Sequence, residues 1–175
     1  MKYFLPRILE LVADNDFPCH SPEATFTRLD LDILERWHKE EIEILANFST
    51  VYFEKCLNIY PLPNERIDTI ILMFGIAHFD LNTILNSWLQ NSSTNCILHV
   101  TDLIINSLSY KNTEPYKLVN SFSTDETDKI VLNWINEKIV KNIFSESIEK
   151  IMNQDNQVSE KSKNELSWTY EFMKK

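Results

Sequence analysis

Glycine is almost absent from this sequence of 175 residues, which contains Gly75 and no other. The phosphate-binding loop, the G-x-G-x-x-G dinucleotide turn and the G-x-S-x-G nucleophile elbow each need several glycines close together. The composition therefore excludes most familiar nucleotide-dependent and α/β-hydrolase chemistries. Tight hairpin turns also draw on glycine, so a fold rich in β-hairpins is not expected.

The three cysteines, Cys19, Cys56 and Cys96, are odd in number and lie far apart in the chain. Their spacing excludes a C-x-x-C redox or zinc pair and argues against the disulfide framework of a small secreted domain. A single domain of this length buries enough apolar surface to fold without a disulfide or a structural metal.

Long hydrophobic runs are also missing. The longest apolar stretch, Ile70 to Phe79, has ten residues, about half of what is needed to span a bilayer. The segment from Met1 to Leu11 carries Lys2, Arg7 and Glu10 inside its apolar run, unlike a signal peptide. We therefore expect a cytoplasmic protein that does not bind membranes.

Basic residues are outnumbered, with 17 Lys and Arg against 26 Asp and Glu and a net charge of −9. Such a chain repels nucleic-acid phosphates and anionic lipid, so we expect no nucleic-acid partner. A partner recognised through charge would be basic. The alternative explanation is that the acidic surface only keeps the protein in solution.

Apolar residues recur at 3-and-4 spacing along most of the chain, which is typical of α-helices. Helix starts are indicated by the capping residues Ser21, Asn64 and Asp80, and by either Ser123 or Thr124. No segment shows the alternation typical of a β-strand. The predicted helices cover residues 3–13, 21–29, 38–60, 65–77, 80–89, 95–108, 123–152 and 165–173.

These segments predict one all-α domain over residues 1–175, with about seven to eight helices arranged as a bundle or as stacked helical hairpins. The polar stretch 155–163 is interpreted as a linker before a C-terminal docking helix. Four tryptophans, one in each of four predicted helices, are expected to anchor the core, although they could also line an aromatic pocket. They are Trp37, Trp88, Trp134 and Trp168.

Histidine and carboxylate pairs are the main candidates for chemistry. Glu35 and His38 have E-x-x-H spacing, but a di-iron bundle needs two such pairs and two further glutamates. His99 and Asp102 lie one turn apart, as in an oriented base or half of a metal site, although packing between helices explains them as well. Weaker candidates are His78 with Asp80, and Cys19–His20–Ser21. We expect no catalytic residue, no metal and no cofactor, so the protein is predicted not to be an enzyme.

An acidic stretch stands out in the first third of the chain, where residues 1–60 hold five of the nine net negative charges. Acidic side chains near a helix N-terminus also stabilise the helix by interacting with its dipole, and this explains part of the stretch without a partner. As a candidate partner-binding surface, the stretch comprises Asp30, Asp32, Glu35, Glu40, Glu41 and Glu43.

Several short motifs between residues 3 and 80 resemble those of bacterial proteins encoded in polymorphic, contact-delivered toxin loci. They include Phe4–Leu5–Pro6–Arg7, Phe17–Pro18, His20–Ser21–Pro22–Glu23, Trp37, Glu40–Glu41–Ile42, Tyr60–Pro61–Leu62–Pro63 and Ile71–Leu72–Met73–Phe74–Gly75–Ile76. The resemblance implies an immunity protein and carries over no functional residue.

The function expected from these observations is a stoichiometric inhibitor that binds a basic toxin domain and covers its active or substrate-binding face. Opposed charges would speed the association and contribute to specificity. One alternative is a helical scaffold or adaptor that binds a partner helix. A second is a small enzyme with a dispersed site of His, Asp and Glu residues.

Overall fold

A computed structural model describes residues 2–19, 21–153 and 159–175, and within them the expected predominantly all-α fold is confirmed. A 3₁₀ turn over Lys2–Phe4 precedes the first helix, and a second 3₁₀ turn covers Leu34–Arg36. The helices are α1 (Leu5–Ala13), α2 (Pro22–Thr25), α3 (Lys39–Leu57), α4 (Ile67–Ile76), α5 (Leu81–Trp88), α6 (Thr94–Asn106), α7 (Asp125–Asn136), α8 (Lys138–Asn153) and α9 (Glu160–Lys174).

The expectation that the chain forms no strand is wrong. Strands β1 (Leu108–Lys111) and β2 (Glu114–Leu118) form an antiparallel hairpin between α6 and α7, with Leu108 opposite Leu118. The turn consists of Asn112 and Thr113, whose φ angles are 51° and 70°. Asparagine tolerates this left-handed region better than most residues, which explains Asn112. Threonine rarely adopts it, yet the turn places Thr113 there, so the hairpin forms without glycine.

Several helix limits also differ from the sequence prediction. The long helix expected over 123–152 is broken at Glu137, whose ψ of 132° is extended and separates α7 from α8. Asn64 does not cap α4, because it has a φ of 61° and the helix begins at Ile67. Of the expected linker, residues 155–158 lie outside the described residues, and Glu160 to Lys163 belong to α9.

Three of the helix N-caps predicted from the sequence are confirmed by hydrogen bonds between the side chain of the capping residue and backbone amides of the first turn. The Ser21 hydroxyl accepts a hydrogen bond from the Ala24 amide, and Thr124 accepts one from Thr127. Asp80 accepts from the amides of the second and third residues of α5. These bonds satisfy donors that a helix N-terminus otherwise leaves unpaired.

The core is centred on α4 and on a cluster of aromatic side chains. Most of α4 is buried, as its uniformly apolar second half predicts. The rings of Trp88 and Trp134 stack with their centroids 5.5 Å apart, and Phe53 and Phe144 meet Trp88 edge to face. Two of the four tryptophans therefore anchor the core, whereas Trp37 is half-buried and Trp168 is 49% exposed.

The single glycine lies where α4 approaches the start of α7. A Cβ atom at Gly75 would lie 3.0 Å from the Thr127 hydroxyl and 3.2 Å from a methyl group of Leu81. Thr127 is itself buried, so it has little room to move away. The absence of a side chain at Gly75 therefore sets how closely α4 and α7 pack.

Candidate functional site

Helix α1 lies alongside α3, and the two run in the same direction. At one end the Lys2 ammonium pairs with the Glu41 carboxylate. At the other end the Tyr52 hydroxyl donates a hydrogen bond of 2.8 Å to the side-chain oxygen of Asn15. We call the line between these two contacts the α1–α3 seam.

Two neighbouring cavities open along the α1–α3 seam. The first, of about 250 Å³, is lined by Leu9, Trp37 and Ile44 among others, and the second, of about 320 Å³, by Ile44, Phe48 and Val51 among others. Ile44 borders both cavities. Its side chain is 63% exposed and that of Val51 is 57% exposed. The seam is thus an apolar surface open to solvent, of the kind that marks interaction sites.

The exposed stripe of α3 combines these apolar residues with acidic ones. Residues three and four apart share one face of a helix, so Glu40 lies one turn before Ile44 and Glu54 lies one turn after Val51, while Glu43 directly precedes Ile44 in the sequence. All five side chains are exposed. One of the acidic residues predicted to bind a partner, Glu40, therefore lies at one end of the apolar strip on the same face, and Glu54 lies at the other end.

Trp37 holds the acidic segment 30–35, which precedes α3, next to α1 and α3. Its indole N–H donates to the Asp30 carbonyl oxygen at 3.4 Å, and the Lys2 ammonium lies 4.4 Å from the centre of its ring. The Asp30 carboxylate accepts a hydrogen bond of 3.0 Å from Arg36. Asp30 is therefore part of the folded framework of the site, and its charge is matched within the chain.

Glu41 is also engaged within the protein. Its carboxylate accepts hydrogen bonds from the Lys2 ammonium and from the His38 backbone amide, and these bonds lower the pKa of Glu41 below its ordinary value. Glu43 pairs with Lys39 at 3.5 Å, but both side chains are well exposed, and exposed pairs of this kind contribute little.

The remaining three predicted site residues are exposed and make no ion pair with any residue that the structure describes. They are Asp32, Glu35 and Glu40. These three carboxylates, together with the weakly paired Glu43, supply the negative charge that is free to meet a partner.

Sequence reasoning missed the apolar half of this site. On α3, Leu45 and Tyr52 are buried and Phe48 is half-buried. Ile44 and Val51 are seven residues apart, which places them together on a stripe that adjoins the buried one at Phe48. This spacing was the available signal that the apolar face of α3 extends beyond its buried residues.

A buried polar cluster that the sequence did not indicate lies at the start of α4. The Asp68 side chain is fully buried and accepts two hydrogen bonds of 2.9 Å from the Arg66 guanidinium. It also accepts one of 2.9 Å from the Ser107 hydroxyl. Nearby, buried Glu23 accepts a bond of 2.8 Å from the Asn120 side chain. The cluster ties α2 and α4 to the segments that flank the hairpin.

Glu65 belongs to the edge of this cluster, and burial raises its pKa above the ordinary 4.5. A carboxyl group with a raised pKa in the folded state stabilises the fold at low pH, and this contribution is lost as the pH rises through the raised value. Glu65→Gln keeps the group neutral, so we expect the variant to be more stable than wild type at pH 7. The two should have nearly equal melting temperatures near pH 4.

The measurement is thermal unfolding at both pH values, with Glu171→Gln as the control because Glu171 is exposed. A stability difference for Glu65→Gln that is the same at pH 4 and pH 7 would show that the carboxyl group does not titrate abnormally.

Among the described residues, the candidate catalytic residues of different segments do not form one group. The candidate pair His99 and Asp102 meets at Tyr60, whose hydroxyl donates a hydrogen bond of 3.2 Å to the Asp102 carboxylate and whose ring lies 5.0 Å from that of His99. The buried His99 ring makes a hydrogen bond of 2.8 Å through Nε2 to the Ile59 carbonyl oxygen, and burial lowers the pKa of His99. His78 and Glu35 are exposed on other parts of the chain, as is Cys19. His20 lies outside the described residues. Among the residues described, no three His, Cys, Asp or Glu side chains are grouped as metal ligands.

Comparison with protein-family models, curated proteins and solved structures gives no match to this chain. Within the described ranges, no helix combines the length and apolar character that a membrane crossing requires. The resemblance to immunity proteins therefore stays a prediction, and the function is inferred below from the surface of the molecule.

Proposed function

We propose that this protein is a stoichiometric inhibitor, an immunity protein that binds a basic toxin domain through the α1–α3 seam and its acidic surroundings. The observation that carries the proposal is the exposed strip of Ile44 and Val51 flanked by carboxylates on one face of α3. Bound in this way, the inhibitor covers the face on which the toxin receives its substrate.

The apolar and acidic parts of the surface have different roles in this proposal. The centre of a protein interface is apolar and excludes water, and a few residues there supply most of the affinity. The rim is polar, and charges on it act mainly on the association rate and on the choice of partner. Ile44 and Val51 take the first role, while Asp32, Glu35 and Glu40 take the second.

The proposal requires no catalytic residue and no cofactor, because occlusion alone neutralises the toxin. The inhibitor acts in the cytoplasm of the cell that it protects, where a delivered toxin meets its substrate. A scaffold or adaptor that uses the same seam is the second candidate, since an open groove between two helices is also how adaptors receive partner helices.

A growth-protection experiment separates the two candidates. The toxin is sought as the C-terminal domain of the protein encoded immediately upstream, and that domain is expressed with and without this chain. The inhibitor proposal predicts that co-expression restores growth and that the two purified proteins form a 1:1 complex. A non-toxic upstream product, or a toxic one that this chain neither binds nor neutralises, contradicts the proposal.

Replacing the free acidic residues by lysine tests whether this surface binds the toxin domain. For the variant D32K/E35K/E40K/E43K we expect association with the toxin domain to slow by about 100-fold at low salt, because steering is lost. The measurement is the association rate at low and high salt, and wild-type binding should slow as salt rises. Circular dichroism checks that the variant is folded.

The matched control is E126K/E137K/E146K/E149K, which makes the same change in charge at four exposed residues of α7, α8 and their junction. Equal slowing by both variants would show that net charge matters and that the position of the acidic residues does not.

A further inference from the structure

We infer that the element of the partner that binds in the α1–α3 seam is a basic amphipathic α-helix. This inference rests on the proposed function and specifies which part of the toxin domain is contacted. It follows from the length of the seam, the spacing of its two cavities and the charges along its edges.

The length of the seam suits a short helix. On α3 the two contacts that bound the seam are at Glu41, which pairs with Lys2 just before α1, and at Tyr52, which bonds to Asn15 just after α1. The cavities extend slightly beyond the second contact, so the α3 residues that border them run from Glu41 to Lys55 and span about 21 Å at a rise of 1.5 Å per residue. A partner helix of about four turns covers that distance.

The cavities define where the partner places its apolar side chains. The α3 residues that line the first cavity lie between Glu41 and Leu45, and those that line the second lie between Ile44 and Lys55. The two exposed apolar residues among them, Ile44 and Val51, are seven residues apart, which corresponds to about 10 Å along the helix. A partner helix with large apolar side chains at positions i and i+7 matches this spacing.

The charges along the seam define the flanks of the partner helix. Glu40 and Glu54 on α3, and Asp14 at the end of α1, are exposed and have no ion pair among the described residues. The bases at the two ends are engaged, since Lys2 pairs with Glu41 and the Lys55 ammonium donates to the Ala13 carbonyl oxygen. Lysine and arginine on the partner therefore find free carboxylates.

The same charges disfavour a second copy of this chain as the occupant. Two copies with a net charge of −9 each would bring like charges together around the seam. An extended strand is disfavoured for another reason. A strand binds by pairing its backbone with an open sheet edge, and both walls of the seam are helices whose backbone groups are already bonded.

A designed peptide provides the test. The probe is an 18-residue peptide of Lys, Ala and Leu, acetylated, amidated and labelled with fluorescein, with leucines at i, i+3, i+7 and i+10. Its control has the same composition with the leucines distributed around the helix. In fluorescence anisotropy at 0.15 M salt, a setting of about physiological ionic strength, the amphipathic probe should bind at least tenfold more tightly than its isomer.

Substitutions on α3 test whether the probe binds in the α1–α3 seam. For the variant I44D/V51D we expect the preference for the amphipathic probe to disappear. The control V119D/I139D alters an isoleucine and a valine of nearly equal exposure, 59% and 57%, and should keep the preference. Hydrogen exchange should slow in residues 5–13 and 39–57 when the probe binds.

Equal binding of the two peptides, or an undiminished preference in I44D/V51D, would overturn the helix inference. Growth protection that depends on the acidic residues would then leave the inhibitor proposal standing with a different mode of contact. Concentration-dependent dimerisation of wild type that I44D/V51D abolishes would identify a second copy as the occupant and would also overturn the inference.

Discussion

Replacing Trp88 by alanine is expected to lower the free energy of unfolding by about 3–5 kcal/mol, the usual cost of removing a large aromatic side chain from a core. The Trp88 ring is fully buried between Trp134, Phe53 and Phe144. Its indole N–H also donates a hydrogen bond of 3.2 Å to the Cys96 carbonyl oxygen. The loss corresponds to a decrease in melting temperature of roughly 6–20 °C for a chain of this size.

Urea unfolding and the near-ultraviolet circular dichroism spectrum measure this effect, the second because the stacked pair with Trp134 is lost. Trp168→Ala is the matched control, since Trp168 is half-exposed and its ring packs against the rings of Tyr110 and Phe172 near the surface. A loss for Trp88→Ala no larger than that for Trp168→Ala would contradict the position of Trp88 in the core.

Replacing Asp68 by alanine is expected to cost about 3 kcal/mol. Hydrogen bonds to a charged group contribute about 1.5–3 kcal/mol each, and Asp68 accepts from Arg66 and Ser107 while fully buried. The exposed half of the Arg66 side chain can turn to water, which limits the loss. The Ser107 hydroxyl also loses its acceptor and, because it is buried, cannot bond to water instead.

Thermal and urea unfolding measure the change. Glu126→Ala is the control, because Glu126 is the second residue of α7, as Asp68 is of α4, but Glu126 is exposed. Removing an acid from a first turn costs about 0.3–1 kcal/mol through the helix dipole alone. If the two variants lose equal stability, the hydrogen bonds of the cluster contribute nothing beyond that dipole effect.

The helices were predictable because their signals are local. Ser21, Asp80 and Thr124 cap helices through bonds to amides two or three residues away, so the capping residue and its partner are neighbours in the sequence. The hairpin was not predictable in this way. Its turn at Asn112 lacks glycine, and the Leu118 amide donates to the Asp128 carboxylate of α7, a contact that depends on the folded chain.

The candidate site was predictable only in part. The acidic residues are visible as a cluster in the sequence, but which of them are free depends on contacts such as that of Glu41 with Lys2, 39 residues away. The α1–α3 seam depends on Tyr52 meeting Asn15 across 37 residues. Ile44 and Val51 were readable as a second apolar stripe of α3, because helical periodicity requires no tertiary information.

Helix α9 has a consequence for the order in which the protein matures during its synthesis. It packs against α8 and α6 and buries Leu166, Phe172 and Met173. Until residue 174 has emerged from the ribosome, the apolar surfaces of α6 and α8 that α9 covers remain open to water and to wrong contacts. The helices that form the seam are translated more than 100 residues earlier. The surface proposed to bind the toxin is therefore synthesised long before the apolar surfaces of α6 and α8 can be covered.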